Sequence, residues 1–200
     1  MDLRRIIIIA LFSALMVAGA YIAIPVGPVP ITLQTMFVLL AGILGGRRIG
    51  AASVAVYLAL GAIGLPVFSG GVGGFGHFAG PTGGFLLSWL IAAPLAGLCT
   101  DIGFRKANQD DKVTKGQLLW IILGATVATI VLYAIGIPYL KTVLDISWGK
   151  SLAIGLIPFL PGDLLKLVAT VLLGNLFSLR VRQFLTKAPQ EESFTDETGS

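Results

Sequence analysis

The stretch that decides the fold is Pro161-Gly162-Asp163-Leu164-Leu165-Lys166-Leu167-Val168-Ala169-Thr170-Val171-Leu172-Leu173-Gly174-Asn175-Leu176-Phe177. From Leu164 onward it is almost wholly apolar, and a run of about 20 such residues crosses a bilayer as a helix. Yet an aspartate and a lysine stand at its start. An ionisable side chain at membrane depth costs roughly 2.5–3.5 kcal/mol on insertion scales, so it marks a functional position by default. Asp163 and Lys166 are three apart on one helical face, where they can neutralise each other. They can equally face an aqueous or ligand-filled cavity. The rest of the chain must say which side of the membrane they meet.

The surrounding sequence is that of a polytopic membrane protein. Of its 200 residues 56% are hydrophobic and 12% charged, and the mean hydropathy is +0.91. Soluble domains carry about 25% charged residues, so this chain lacks the polar surface to meet water all round. No Asp, Glu, Lys, Arg or His lies between Arg5 and Arg47, and only His77 lies between Arg48 and Asp101. The apolar runs predict six transmembrane helices: Ile6–Ile24, Leu33–Leu44, Ile49–Leu65, Phe85–Cys99, Leu118–Ile137 and Leu164–Leu179. The first reads as a retained span rather than a cleaved signal peptide. The second is short, so it calls for tilt, a thin bilayer or shielding by protein. No internal repeat is evident, which weighs against the inverted-repeat transporters.

Lysine and arginine near the span ends set the orientation. With the N-terminus in the cytoplasm, the inner segments hold Arg4, Arg5, Arg47, Arg48, Arg105, Lys106, Lys112, Lys115, Arg180, Arg182 and Lys187. The outer ones hold Lys141 and Lys150, with Lys166 at the outer boundary. Both termini are therefore expected inside. The net charge of +4 reports loop topology, not a nucleic-acid partner. Residues 1–187 are expected to form the membrane domain, and the acidic stretch 188–200 a disordered cytoplasmic tail. The single Cys99 permits no internal disulfide.

Three segments then meet at the outer face: Pro25–Thr32, Phe68–Gly84 and Ile137–Gly162. Within the last, Trp148–Phe159 is expected to form a short interfacial helix, tryptophan being an interfacial anchor. The glycine-rich run FSGGVGGFGHFAGPTGGF (Phe68–Phe85) is either a flexible connector or a loop that folds over a pocket, since irregular backbone at membrane depth must be buried in protein or line a cavity. It lacks the Gly-Lys-Ser/Thr ending of a phosphate loop. His77 within it is a weak candidate for ligand contact. Thr32, Gln34 and Thr35 stand at the outer start of the second span, able to fix a ligand or merely cap a helix. Phe68, Phe75, Phe78, Phe85, Tyr139 and Trp148 can supply apolar walls or an interfacial belt. Ala10, Ala14 and Ala18 recur at four-residue spacing on the first span, a small-residue face suited to close helix packing. With one histidine, one cysteine and no metal-ligand spacing, the chain offers neither an enzyme's residues nor a cofactor or metal site.

Together these pieces resemble the BioY family, the biotin-specific substrate-binding (S) components of energy-coupling factor (ECF) transporters. The matching stretches are PVPITLQTMFVLL (Pro28–Leu40), LGAIGLPVF (Leu60–Phe68), GPTGGF (Gly80–Phe85) and PGDLLK (Pro161–Lys166), and the resemblance runs up to Leu185. It implies a six-helix protein that captures extracellular biotin and works with a transmembrane coupling protein and two cytoplasmic ATPases. It implies that Ala10, Ala14 and Ala18 contact the coupling protein. Asp163 and Lys166 correspond to the family's binding aspartate and lysine: the carboxylate can accept a ureido N–H, and the ammonium can donate to a carbonyl or carboxylate oxygen. The family also draws on an asparagine and an arginine from the loop and following helix. This chain has neither between Ile49 and Phe104, which leaves His77 or Thr82 as substitutes. The competing expectations are an S component for another small vitamin, or a passive facilitator or channel.

Overall fold

The computed structural model describes residues 2–105 and 112–186. These form α1 (Leu3–Tyr21), α2 (Gln34–Ala62), α3 (Gly83–Gly103), α4 (Lys115–Leu144), α5 (Trp148–Gly155) and α6 (Leu160–Thr186). A two-stranded antiparallel ribbon, β1 (Ala23–Ile24) with β2 (Ile31–Thr32), links α1 to α2 around the proline-rich turn. One 3-10 helix, Phe75–Ala79, lies in the glycine-rich loop. The stretch around Lys106, Lys187 and the acidic tail fall outside the described residues.

Five of these helices are long and apolar enough to cross a membrane, and α2 supplies two crossings. At Gly46 the backbone leaves helical geometry (φ 76°, ψ 176°), a region that only glycine enters freely. The chain reverses there: a Cβ built on Gly50 would lie 2.8 Å from the Cα of Gly42, far closer than eight residues of straight helix allow. At the open end of this hairpin the Gln34 carboxamide donates to the Tyr57 hydroxyl. Six segments therefore cross, as the apolar runs predict. The short first limb is shielded by protein, since Val38 through Leu44 are all buried.

Asp101 of α3 fastens the hairpin bend. Its Oδ2 accepts the Arg47 N–H at 3.1 Å, satisfying a backbone donor that the start of the second limb leaves free. Its Oδ1 accepts from Arg182 of α6, also at 3.1 Å. Arg4 of α1 donates to the Phe184 carbonyl of α6 at 3.2 Å. Arg4, Arg47 and Arg182 thus gather at one end, which the lysine–arginine asymmetry places in the cytoplasm.

Helix α3 packs between α2 and α4, and α6 lies across both. Its inward stripe is Lys166, Thr170, Gly174 and Ser178, while Leu164, Leu165, Val168, Leu172 and Leu176 face outward. Helix α4 starts at a capping box, with Thr114 accepting from the Gln117 N–H and the Gln117 side chain accepting from the Thr114 N–H. It ends at Asp145 in a left-handed conformation.

Several boundaries differ from the sequence expectation. The sixth span begins at Leu160, not Leu164, so Pro161, Gly162 and Asp163 occupy its first turn. Proline is tolerated there because the first N–H groups lack helical partners anyway. Helix α3 continues past Cys99 to Gly103, and α4 exceeds Leu118–Ile137 at both ends. The interfacial helix stops at Gly155, short of Phe159.

Candidate binding site

A cavity of about 260 Å³ opens at the end of the bundle opposite the arginine cluster. The proline-rich turn, the start of α2, the glycine-rich loop, α3, α4 and the first turns of α6 contribute its walls. The loop does not swing free. Gly74 N–H donates to the Gly61 carbonyl at 2.7 Å, the Tyr139 hydroxyl to the Phe78 carbonyl at 2.7 Å, and the Tyr21 hydroxyl to the Pro66 carbonyl at 2.6 Å. Bonds of this kind hold irregular backbone at membrane depth, where unpaired groups are costly.

Asp163 and Lys166 both line the cavity and also pair with each other, Nζ to Oδ1 at 2.5 Å. The two readings of these charges are therefore compatible. Lys166 is 7% exposed, and its Nζ also donates to the Thr32 carbonyl at 3.0 Å and the Thr35 hydroxyl at 3.1 Å. An ammonium has three protons, so these partners use all of them. The other oxygen of Asp163 accepts from the Tyr133 hydroxyl of α4. Each carboxylate oxygen retains a further lone pair. The pair thus presents to the cavity an anchored acceptor whose charge is offset.

The loop contributes a second polar pair. His77 Nε2 lies 3.1 Å from Thr82 Oγ1, and the imidazole stacks on Phe68 at 4.9 Å between centroids, with 17° between planes. Both residues line the cavity. Burial lowers the His77 pKa below the usual histidine value, because desolvation disfavours the charged ring. Gln34 also lines the cavity, buried, with its Oε1 accepting from the Thr32 hydroxyl at 3.1 Å and its amide engaged by Tyr57.

All five candidate residues, Asp163, Lys166, His77, Thr82 and Gln34, thus border one space. Of the aromatic candidates, Phe68 and Phe85 line it. Phe75 is 78% exposed, and Trp148 faces a separate groove between α4, α5 and α6. Sequence reasoning missed Tyr133, Trp89 and Phe159, which also form its walls. Tyr133 sits inside an apolar run, and its one signal is a hydroxyl on the bundle side of α4. Trp89 stands four residues after Phe85, on the same face of α3. Ala10, Ala14 and Ala18 lie elsewhere, all exposed along the outside of α1, while Ile8, Ile9, Phe12 and Met16 bury its other face.

Chemically, the arrangement suits a small, largely apolar molecule that carries N–H donors. Few polar groups are set in apolar walls, as in small-molecule sites generally. Known proteins are similar to this chain in sequence and fold. The sequence model of the BioY family matches residues 1–183. The chain is 40% identical over 178 residues to the biotin transporter BioY of Rhizobium etli, covering 88% of this chain and 93% of that one. It is 37% identical over 173 residues to the biotin transporter BioY of Thermotoga maritima, covering 86% and 94%. A solved structure, the S-component for biotin from an ECF-type ABC transporter, superposes with a TM-score of 0.73 at 33% identity, covering 90% of each chain.

Proposed function

The chain belongs to the BioY family, and from that premise we propose that it is the S component that captures extracellular biotin for uptake. It has no catalytic activity of its own. Asp163 is the observation that carries this reading: a carboxylate on the cavity wall, held by Lys166 and Tyr133, with lone pairs left to accept a ureido N–H. The apolar walls from Phe68, Phe85, Leu86 and Leu132 suit the thiophane ring and aliphatic tail.

Uptake proceeds with a transmembrane coupling protein and two cytoplasmic ATPases. Ala10, Ala14 and Ala18 form the face that meets the coupling protein. Their exposure on α1 supports this, since small side chains let a second helix approach closely where van der Waals fit drives association. The membrane unit runs to residue 187, and residues 188–200 are a cytoplasmic tail. Release requires a second state with lower affinity, because a ligand is handed on only through differential binding.

Labelled-biotin binding to the purified protein, with and without excess competitor vitamins, tests the substrate. The expected result is saturable binding displaced by biotin alone. Displacement by a different vitamin would reassign the substrate, and flux without tight binding would point to a facilitator. Asp163→Asn and Lys166→Ala are each expected to weaken biotin binding more than tenfold while the protein still inserts. Unchanged affinity removes that residue from the site.

A further inference from the structure

The charges around the cavity are few. Among the described residues that line it, Asp163, Lys166 and His77 alone can be charged near neutral pH. Asp163 and Lys166 cancel within their pair at 2.5 Å. The other two protons of Lys166 go to the Thr32 carbonyl at 3.0 Å and the Thr35 hydroxyl at 3.1 Å, so its ammonium holds Asp163 in position and has none to spare. His77 lies flat on Phe68 with its Nε2 against the Thr82 hydroxyl. Desolvation keeps that ring neutral. The lining thus sums to no net charge and presents no uncommitted cation.

An anionic ligand would bring an unmatched charge into this space. A lone carboxylate is strongly disfavoured in an apolar setting without a partner, so the carboxylate of the ligand has to remain in water. The cavity has a place for it. At its outer rim Pro28 is exposed, and Ser69, Gly80 and Pro81 are half-buried, whereas Gln34 and Leu86 are buried. None of the rim residues carries a charge. The two outer lysines stand away from the lining. Lys141 has its Nζ 5.4 Å from the centre of the Trp148 ring, and Trp148 lines the separate groove between α4, α5 and α6. Lys150 is exposed on α5.

We propose that this site recognises the uncharged fused-ring end of biotin and leaves the carboxylate in water at the mouth, so that its substrate class includes neutral-tailed derivatives such as biotin amides. This rests on the biotin reading above and states which part of the molecule is selected. Replacing the carboxylate by a carboxamide then removes no contact with the protein, because the group that changes is solvated both before and after binding. Discrimination falls to the ring end, where a molecule with the wrong donors leaves buried polar groups unpaired.

The experiment is competition of biotinamide against labelled biotin on the purified full chain at neutral pH. Biotinamide is expected to match biotin within about threefold. Loss of one charge-assisted hydrogen bond would instead weaken it roughly tenfold or more. A drop of that size means that a cation does meet the carboxylate, and it overturns the proposal while leaving biotin capture intact. The double variant Lys141→Gln/Lys150→Gln is expected to bind both ligands as the wild type does. A loss confined to biotin, with biotinamide spared, would put an outer lysine on the carboxylate and likewise overturn the proposal. Failure of the wild-type chain to bind biotin at all would overturn the function and this proposal with it.

Discussion

Replacing Lys166 by methionine keeps an unbranched side chain one atom shorter and removes its charge. The structure says what is lost: the donor to Asp163 Oδ1, the donor to the Thr32 carbonyl and the donor to Thr35 Oγ1. Removing one partner of a buried ion pair typically costs about 3–5 kcal/mol, most of it from the uncompensated charge left behind. Here the side chains of Lys166 and Asp163 are 9% and 15% exposed, and Tyr133 still donates to Asp163, so the lower end applies, about 3 kcal/mol. For a chain of this size, that corresponds to a fall of about 6–12 °C in the thermal midpoint. The assay is thermal unfolding of the detergent-purified protein without biotin. The double variant Asp163→Asn/Lys166→Met removes both charges, and should recover about 1–3 kcal/mol relative to the sum of the single changes. Biotin binding should stay lost in the double variant, which no longer has its carboxylate. If the double variant is as destabilised as the two single changes added together, the two side chains are not energetically coupled, and the positioning role of Lys166 falls.

Other consequences are as direct. Gly46→Ala should lower stability by about 1–2 kcal/mol in the same unfolding assay, because φ is 76° there and a Cβ would meet Asp101 Oδ1 at 2.7 Å; no change would mean the bend tolerates a side chain. His77 is half-buried, with its pKa lowered by desolvation, so on acidification the unfolded chain takes up the proton first. Stability from this group is whole above about pH 6.5 and declines as pH falls below that value. His77→Phe, which keeps a ring against Phe68, should flatten that part of the pH–stability curve, and an unaltered slope assigns it to other groups. Ala14→Trp should abolish co-purification with the coupling protein and leave biotin affinity unchanged, whereas normal assembly rejects the α1 interface.

Much of this was legible in the residues because membranes enforce simple rules. Charge-free runs located the crossings, and Gly45-Gly46-Arg47-Arg48 separated the two limbs of α2. Asp163 and Lys166 stood out because charges are rare at that depth. The sequence could not show that Lys166 is held by Thr32 and Thr35, residues 131 or more positions away, since only the fold brings α2 beside α6. Tyr133 and Trp89 were hidden for the opposite reason. An aromatic residue within an apolar run carries the same hydropathy signal whether it faces lipid or a cavity, and in the middle of a span composition does not distinguish the two. The apolar run puts the start of the sixth span at Leu164, whereas its first turn takes in Pro161, Gly162 and Asp163, a place where the missing proline N–H costs nothing.

The closed pairing of Asp163 with Lys166 has an electrical consequence. An elementary charge carried through the whole transmembrane field involves about 2.3 kcal/mol of work per 100 mV. The two charges cancel within a single turn of α6, so any tilt or displacement of the empty site across that field involves almost no such work. Membrane voltage then exerts almost no net force on the empty pair itself. Loaded with an anion bearing one carboxylate, the same movement inward runs against an inside-negative potential. At this site the load, and not the pair that holds it, carries the charge that the field acts on.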